Sequence, residues 1–162
     1  METVHTHIIS TPVGALTIVA DGHVINMLTF VEGKQASHAP LPDVVLQCAD
    51  EMNAYFLGSV KSFTFPIAQP GTDFQQSVWQ KLRAIPYGQT ISYMQLAKKI
   101  SNPGSIRAVG TTNGRNRIAI VVPCHRVIGS NGSLTGYAGG IWRKKWLLEH
   151  EIRHKYGSLQ LF

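Results

Sequence analysis

The first part of the chain alternates short apolar runs with turn signals. Three runs rich in β-branched residues, at 5–10, 15–20 and 23–30, are separated by turn residues such as Pro12 and Gly14. Runs of this length and composition predict strands, and the short turns between them favour an antiparallel meander. We therefore expect a three-stranded antiparallel sheet at the start of the chain.

The apolar spacing then changes from strand-like to helical. Between Pro42 and Leu57 the apolar residues recur every three or four positions, with Asp43 near the start and Gly58 directly after the end. This pattern predicts an amphipathic helix with an acidic first turn and a glycine stop. Cys48 lies within this helix, so we interpret its thiol as a packing residue.

A stretch rich in proline and glycine follows this helix and indicates a domain boundary near residues 66–72. We assign residues 1–68 to a small N-terminal α/β domain, residues 69–156 to a mainly helical C-terminal domain, and residues 157–162 to a tail. The fold class expected is α+β. With 162 residues, the chain is long enough to bury a core without disulfides.

The second domain combines helical spacing with irregular connections. The SNPGS connection at 101–105 joins two predicted helices at a spacing typical of a helix-turn-helix. Helix pairs of this kind also occur in proteins that do not bind DNA. An apolar run at 118–122 predicts a strand. The helices are predicted at 73–84, 92–100, 105–113 and 141–151.

The last of these helices has one apolar and one basic side. Trp146 and Leu147 are expected to be buried, and the basic triple Arg143, Lys144 and Lys145 is expected to face solvent.

Charged residues are divided unevenly between the two halves. Residues 1–70 contain two Lys/Arg and six Asp/Glu, whereas residues 71–162 contain thirteen Lys/Arg and three Asp/Glu. A basic half favours a polyanionic partner, and nucleic acid is the commonest such partner. On charge alone, a merely solvated positive surface remains an open alternative.

Nothing in the sequence indicates export or membrane insertion. No apolar run approaches the length of a membrane span, and the first residues lack the basic and apolar regions of a secretory signal. We therefore expect a cytoplasmic protein without membrane contact, in which Cys48 and Cys124 are free thiols.

The histidines do not follow a metal-ligand pattern. His5 and His7 alternate on one predicted strand, His23 and His38 lie in separate segments, and no cysteine pair has ligand spacing. The chain also lacks a glycine-rich phosphate loop. We expect neither a metal site nor a cofactor.

Cys124 has the surroundings of a candidate nucleophile. It follows an apolar run and Pro123, and it precedes His125 and Arg126. Local positive charge favours the thiolate, which is the nucleophilic form. Neighbouring side chains on an extended segment point to opposite faces, so contact between thiol and imidazole requires a kink or a bridging water. Alone, a Cys-His pair is more often structural than catalytic.

The longer pattern around Cys124 resembles the O6-alkylguanine-DNA alkyltransferase family. The resemblance extends nearly continuously from Gly71 to Glu151, whereas the first seventy residues match only in length and in a TPVG-like opening. It implies that an alkyl group moves from the O6 atom of a damaged guanine to a cysteine that is never regenerated. The matching motifs are GTDFQQSVW, IPYGQTISY, LAKKI, RAVG at 107–110, PCHRVIG at 123–129, GYAGG at 136–140 and LLEHE at 147–151.

The resemblance also implies roles for individual residues in the reaction. Cys124 is the acceptor, and His125 takes the thiol proton through a bound water. Glu151 orients the imidazole, Tyr93 donates a proton to the guanine, and Asn116 is a hinge between the recognition helix and the active-site turn. The base pocket is formed by the backbone carbonyls of Cys124 and Val127 with Tyr137 and Ala138.

The implied partner is double-stranded DNA containing O6-alkylguanine, with O4-alkylthymine as a further substrate, bound by a monomer in the minor groove. The damaged base is rotated out of the duplex. Arg107 corresponds to the finger residue that fills the gap, and the same helix and its end offer Thr111, Asn113 and Arg115 as polar contacts.

Three residues depart from the usual family pattern. Arg117 stands where a proline usually follows Asn116, so the hinge loses a fixed φ angle. Ile106 replaces a small residue before the finger and adds bulk beside a narrow groove. Arg115 adds a charge that offsets this loss of DNA affinity.

Three alternative functions remain at this stage. A lesion-binding protein without transfer usually has another residue at the position of Cys124, so the cysteine argues against it. A Cys-His hydrolase would turn over repeatedly. A transcriptional regulator would bind DNA without preference for a lesion.

Overall fold

The computed structural model describes residues 4–30, 36–37, 40–100 and 106–155, and the chain divides into two compact units, residues 1–69 and 70–162. Within the described ranges, no helix is long and apolar enough to cross a bilayer. The predicted tail at 157–162, the SNPGS connection and His38 lie outside the described residues.

The first unit contains the predicted antiparallel sheet. Strands β1 (Val4–Thr11), β2 (Gly14–Asp21) and β3 (Val24–Thr29) pair in the order β1-β2-β3. Each turn contains only two unpaired residues, which fixes the register. The strand prediction is confirmed.

Helix α1 (Asp43–Leu57) packs its apolar side into the core of the first unit. Cys48 and Met52 are both fully buried on that side. Gly58 ends the helix in the left-handed conformation, with φ 84°, and its N–H binds the last turn. Glycine adopts this conformation without the steric penalty of a side chain, which explains the predicted stop.

The chain then returns beside β3 and closes the first unit. Ile25 donates a backbone hydrogen bond to Pro66 (2.9 Å) and accepts one from Ala68 (3.0 Å). This bridge covers an edge that would otherwise expose unpaired backbone groups.

The second unit is mainly helical, as expected. Helix α2 (Asp73–Arg83) and helix α3 (Tyr93–Lys98) each begin with a capping box, formed by Thr72 with Gln75 and by Ser92 with Gln95. Helix α4 (Ile106–Gly114) packs on α2, where the indole of Trp79 donates to the backbone carbonyl of Thr112 (3.3 Å).

Two very short strands bring the middle of this unit together. Strand β4 (Ile91–Ser92) immediately precedes α3, and strand β5 (Val127–Ile128) immediately follows Cys124–Arg126. The two strands pair in parallel. This pairing places the start of α3 beside the segment that carries Cys124.

The predicted strand at Ile118–Val122 is wrong. Ile118 is a single bridge residue, residues 119–121 form a turn, and Ile120 has a positive φ of 73°, which breaks an extended chain. Ile118, Ile120, Val121 and Val122 are nevertheless all buried. An apolar run shows burial, but it does not distinguish a buried strand from a buried coil.

Helix α5 (Ile141–His154) extends three residues beyond its predicted end. The predicted exposure of its basic triple is wrong for Lys144, which is completely buried, whereas Lys145 is exposed. Leu147 is buried as expected, but Trp146 is only half-buried and stacks on His150 with ring centroids 4.8 Å apart.

Candidate active site

Asn116 organises the turn that leads to Cys124. Its side-chain amide donates to the carbonyls of Val122 (2.7 Å) and Ile118 (3.3 Å), and its amide oxygen accepts from the Ile118 N–H (3.1 Å). These bonds hold a turn in which Ile120, a β-branched residue, has a positive φ. Asn116 therefore links the end of α4 to the candidate active-site segment.

The same amide also reaches the thiol. The Nδ2 of Asn116 lies 3.3 Å from the Sγ of Cys124. An N–H donor favours a negatively charged sulfur, so this contact opposes the rise that burial causes in the pKa of Cys124.

Cys124, His125 and Arg126 form a single 3₁₀ turn. The turn supplies the kink that an extended segment would have lacked, and all three side chains are buried. The Nε2 atom of His125 lies 2.7 Å from Glu151 Oε2, so the sequence-predicted pairing of imidazole and carboxylate is present in the structure.

Arg126, expected from the sequence only as local positive charge beside Cys124, binds the carboxylate of Glu151 in the structure. Its Nε donates to Oε1 of Glu151 (2.8 Å) and its Nη2 to Oε2 (3.0 Å), while Nη1 donates to the carbonyl of Ile85 (2.7 Å). Gly88 N–H adds a further bond to Oε1 (3.1 Å). A buried carboxylate is stable only with donors of this kind around it. The expected role of Glu151 in the site was therefore the one signal in the sequence that a buried cation such as Arg126 accompanies it.

The surrounding charges keep Glu151 ionised. Burial acts against the charged form, but His125 and Arg126 outweigh it and hold the pKa of Glu151 far below its usual range. Burial is the largest effect on His125, where it lowers the pKa despite the opposing influence of Glu151. The resting site therefore contains an ionised carboxylate and a neutral imidazole.

This charge state fixes the roles of the two ring nitrogens of His125. Nε2 faces an ionised carboxylate and carries the proton, which leaves Nδ1 as an acceptor. Within the described parts of the chain, Nδ1 is buried and has no hydrogen-bond partner. His125 is thus poised to accept a proton from a nearby group.

The sequence led us to expect that local positive charge favours the Cys124 thiolate, but in the structure burial outweighs this effect. Burial is the largest effect and raises the pKa of the Cys124 thiol, although Asn116 and Lys144 act against it. The resting thiol is protonated at neutral pH, so it needs a base to become a nucleophile.

The phenols of Tyr93 and Tyr137 both interact electrostatically with Cys124. The hydroxyl of Tyr93, at the start of α3, donates to the backbone carbonyl of Thr135 (3.0 Å). Burial raises the pKa of both phenols, and Cys124 adds to the rise in each case. The Tyr137 hydroxyl is buried without a hydrogen-bond partner among the described residues, so it has an unused donor.

The remaining pocket candidates differ in exposure. Val127 is fully buried at the start of β5, whereas Ala138 is exposed. Gly140 directly precedes α5 and has a φ of 92°, a conformation that residues with a side chain rarely adopt. This geometry turns the chain from the segment of Tyr137 into the helix that carries Glu151.

The predicted DNA contacts divide into two groups. Arg107, Thr111 and Arg115 are exposed, whereas Asn113 is only 4% exposed. Asn113 faces inward, where a hydrogen bond from its side chain affects the pKa of Tyr93. Its assignment as a DNA contact is therefore not supported. At helical spacing, residue 113 lies on a different side of α4 from residues 107 and 111. Asn113 was predicted to be a DNA contact because asparagine is polar.

The exposed side of α4 borders an open groove of about 470 Å³. Arg107, Ala108 and Thr111 line it from α4, and Phe74 lines it from α2. Two of the departures from the family pattern are also exposed: Ile106, which adds bulk, and Arg117, which affects the stiffness of the hinge. A basic, partly apolar surface of this kind suits contact with nucleic acid.

The fold and this site define a protein with a basic helical unit and a buried thiol served by a histidine–carboxylate pair. The family profile for 6-O-methylguanine DNA methyltransferase matches in two parts: its ribonuclease-like domain at residues 4–69 and its DNA-binding domain at residues 73–153. The chain belongs to this family.

Individual relatives agree with the family profile. A methylated-DNA–protein-cysteine methyltransferase of Mycobacterium tuberculosis is 45% identical over 163 residues, which cover 98% of this chain and 99% of the relative. A protein of the same name from Methanosarcina acetivorans is 44% identical over 149 residues, covering 89% of this chain and 96% of the relative.

Solved structures give the same result. The crystal structure of the M. tuberculosis O6-methylguanine methyltransferase has a TM-score of 0.84 and 46% identity, and the alignment covers 94% of each chain. The crystal structure of the M. tuberculosis protein in complex with DNA also has a TM-score of 0.84 and 46% identity, covering 97% of each chain.

Proposed function

We propose that this protein repairs alkylated DNA by transferring the alkyl group of O6-alkylguanine to Cys124. The observation that carries the proposal is the buried Cys124, followed directly in the chain by His125, whose neutral imidazole has its Nε2 2.7 Å from Glu151. Membership of the methyltransferase family and the names of its relatives support the same reaction.

The reaction begins with removal of the thiol proton. His125 Nδ1 accepts the proton, through a water molecule as the family resemblance implies, and Glu151 stabilises the imidazolium that forms. The Asn116 amide, 3.3 Å from Sγ, stabilises the developing thiolate. The ionised sulfur then attacks the alkyl carbon.

Bond formation and bond breakage occur at the same carbon. A new S–C bond forms while the C–O6 bond breaks, and its electron pair stays on the guanine. Tyr93, whose raised pKa keeps its phenol protonated, donates a proton to that leaving group. The thioether that remains on Cys124 has no proton to lose and no nucleophilic thiolate, so each molecule acts once.

The damaged base reaches Cys124 by rotating out of the duplex. Arg107 enters the gap from the exposed side of α4, and Thr111 and Arg115 hold the backbone in the minor groove. O4-alkylthymine is a second substrate, since it also presents an alkylated oxygen on a base edge. The protein acts as a monomer in the cytoplasm.

The transfer is tested by mixing equimolar protein with a duplex containing one O6-methylguanine. The intact mass should increase by one methylene group, and peptide analysis should place the increase on Cys124 and not on Cys48. Intact binding to the damaged duplex with no mass change would indicate a lesion-binding protein without transfer. Repeated turnover of an ester or peptide would indicate a hydrolase.

Base rotation is tested with Arg107→Ala. We expect transfer from duplex DNA to slow by about 10- to 100-fold, because the cost of extrusion is a few kcal/mol. Transfer from free O6-benzylguanine should stay within about twofold of the unmodified protein, because a free base needs no extrusion. Arg153→Ala is the matched control, since it removes an exposed charge of the same type from α5, outside the proposed DNA contacts. Equal losses on both substrates would contradict the role of Arg107.

A further inference from the structure

Lys144 is an unusual residue because its whole side chain is buried. It lies in the first turn of α5 with an exposed fraction of 0%. A buried ammonium group is costly unless it is compensated by hydrogen bonds or an opposite charge. Its neighbour Lys145 has the usual placement, with an exposed side chain 3.9 Å from Glu149.

Lys144 donates its hydrogen bonds to the backbone directly before Tyr137, a candidate residue of the base pocket. Its Nζ donates to the carbonyls of Thr135 (2.9 Å) and Gly136 (3.3 Å), and it lies 5.8 Å from the ring centroid of Tyr93. The Thr135 carbonyl is also the acceptor of the Tyr93 hydroxyl. Lys144 and Tyr93 are therefore joined through one carbonyl oxygen.

The charge of Lys144 acts on the reacting thiol. In the described structure no carboxylate lies within ion-pair distance of Nζ. Burial raises the pKa of the Cys124 thiol and lowers the pKa of Lys144, and the charge of each group opposes the shift of the other. Lys144 also lowers the pKa of His125, which helps to keep the imidazole neutral.

The other groups around Cys124 do not supply this charge. Asn116 and the phenols of Tyr93 and Tyr137 are neutral, and Arg126 is bound to Glu151. Among the described residues, Lys144 is thus a buried cation of this site with no carboxylate within ion-pair distance.

We propose that Lys144 is a positioning residue for alkyl transfer, with two effects. Its charge stabilises the Cys124 thiolate as it forms, and its hydrogen bonds fix the Thr135–Gly136 backbone against which the Tyr93 hydroxyl is oriented. The second effect rests on the proposed function, whereas the first concerns the thiol itself.

The test compares Lys144→Met, Lys144→Arg and the control Lys145→Met. Alkylation of Cys124 by iodoacetamide is followed from pH 6 to pH 10, with peptide mass as the readout, and transfer from free O6-benzylguanine is measured separately. Iodoacetamide reacts with a thiolate whether or not the protein repairs DNA. Loss of charge in Lys144→Met should move the alkylation profile to higher pH and slow the reaction at pH 7.5 by about tenfold.

Lys144→Arg separates charge from hydrogen-bond geometry. It should keep the pH profile of iodoacetamide alkylation, because the positive charge remains. Its transfer from O6-benzylguanine should fall several-fold, because a planar guanidinium does not reproduce the bonds to the two carbonyls. Lys145→Met should match the unmodified protein in both measurements.

Two results would overturn the proposal. An unchanged pH profile in folded Lys144→Met would exclude the charge effect. If that variant does not fold, a shifted profile in Lys144→Arg, which retains the charge, would exclude it instead. Failure of the proposed function looks different: the unmodified protein would accept no benzyl group, while its iodoacetamide profile would still depend on Lys144.

Discussion

Cys48 in the first unit and Cys124 in the second are both free thiols, and both are buried, with exposed fractions of 0% and 6%. Burial raises the pKa of each. Glu51 adds to this effect and brings the pKa of Cys48 to about 12, whereas Asn116 and Lys144 oppose it at Cys124. The two thiols therefore differ in the polar groups around them and not in their exposure.

The carboxylate near each thiol sharpens this contrast. Glu51 accepts hydrogen bonds from Thr64 and Gln47 at the surface of the first unit. Glu151 is fully buried and binds His125, Arg126 and Gly88. Glu51 is therefore part of a hydrogen-bonded cluster at the surface. Glu151 is a buried charge that binds both the proposed base, His125, and the cation Arg126.

The largest expected effect comes from exchanging these carboxylates for amides. Glu151→Gln should abolish detectable alkyl transfer and lower the free energy of unfolding by about 3–5 kcal/mol, because it leaves Arg126 buried without its counter-charge. Glu51→Gln should cost about 1 kcal/mol and leave transfer unchanged. Denaturant unfolding and mass analysis after reaction measure both quantities. Similar stability losses in the two variants would remove the distinction between the sites.

The free energy of unfolding should decrease as the pH falls, because of the shifted pKa values of Glu151 and His125. The pKa of Glu151 is lower in the folded than in the unfolded protein, so its stabilising effect is complete above its ordinary value of 4.5 and is lost as the pH falls below it. His125 acts in the same direction, since its lowered pKa means that protonation below pH 6.5 favours unfolding. Glu151→Gln should have a flatter stability profile between pH 4.5 and pH 2 than the unmodified protein.

A smaller effect is expected in the reactivity of the two thiols toward iodoacetamide. Cys124 should react at least about tenfold faster than Cys48 at pH 8, because Asn116 and Lys144 favour its thiolate and Glu51 disfavours that of Cys48. Both rates should rise with pH. In guanidinium chloride the two rates should converge, which controls for intrinsic reactivity. Equal rates in the folded protein would refute the electrostatic contrast.

The smallest effect is expected from Cys48→Ala. We expect a loss of about 1–2 kcal/mol in the free energy of unfolding, because a small buried side chain is removed from α1. Alkyl transfer should proceed at the unmodified rate. A loss of transfer in a variant that remains folded would show that the first thiol takes part in the reaction.

Most of the fold follows from local patterns in the sequence. The three strands and helices α1 and α2 have clear apolar periodicity and turn or cap residues at their ends. The segment from Ile118 to Val122 does not, because its buried turns depend on the side chain of Asn116 and on a positive φ at Ile120. Contacts of that kind have no periodic signal.

The site was less predictable than the fold, and Lys144 and Arg126 show why. Lysine and arginine are usually exposed, so Lys144 was assigned to solvent and a buried role was not predicted for Arg126. Their burial depends on partners distant in sequence: Arg126 contacts Ile85 and Glu151. The pairing of His125 with Glu151 was expected only from the family resemblance, since their separation of 26 positions carries no local pattern.

Glu151 accepts a hydrogen bond from the backbone of Gly88, 63 positions earlier in the chain, with the same oxygen that binds Arg126. The carboxylate that assists the base is therefore also an anchor between distant parts of the second unit. A genetic screen for inactive variants would collect misfolded proteins at this position together with chemically disabled ones. Protein abundance would have to be scored beside activity before any phenotype at Glu151 is attributed to chemistry.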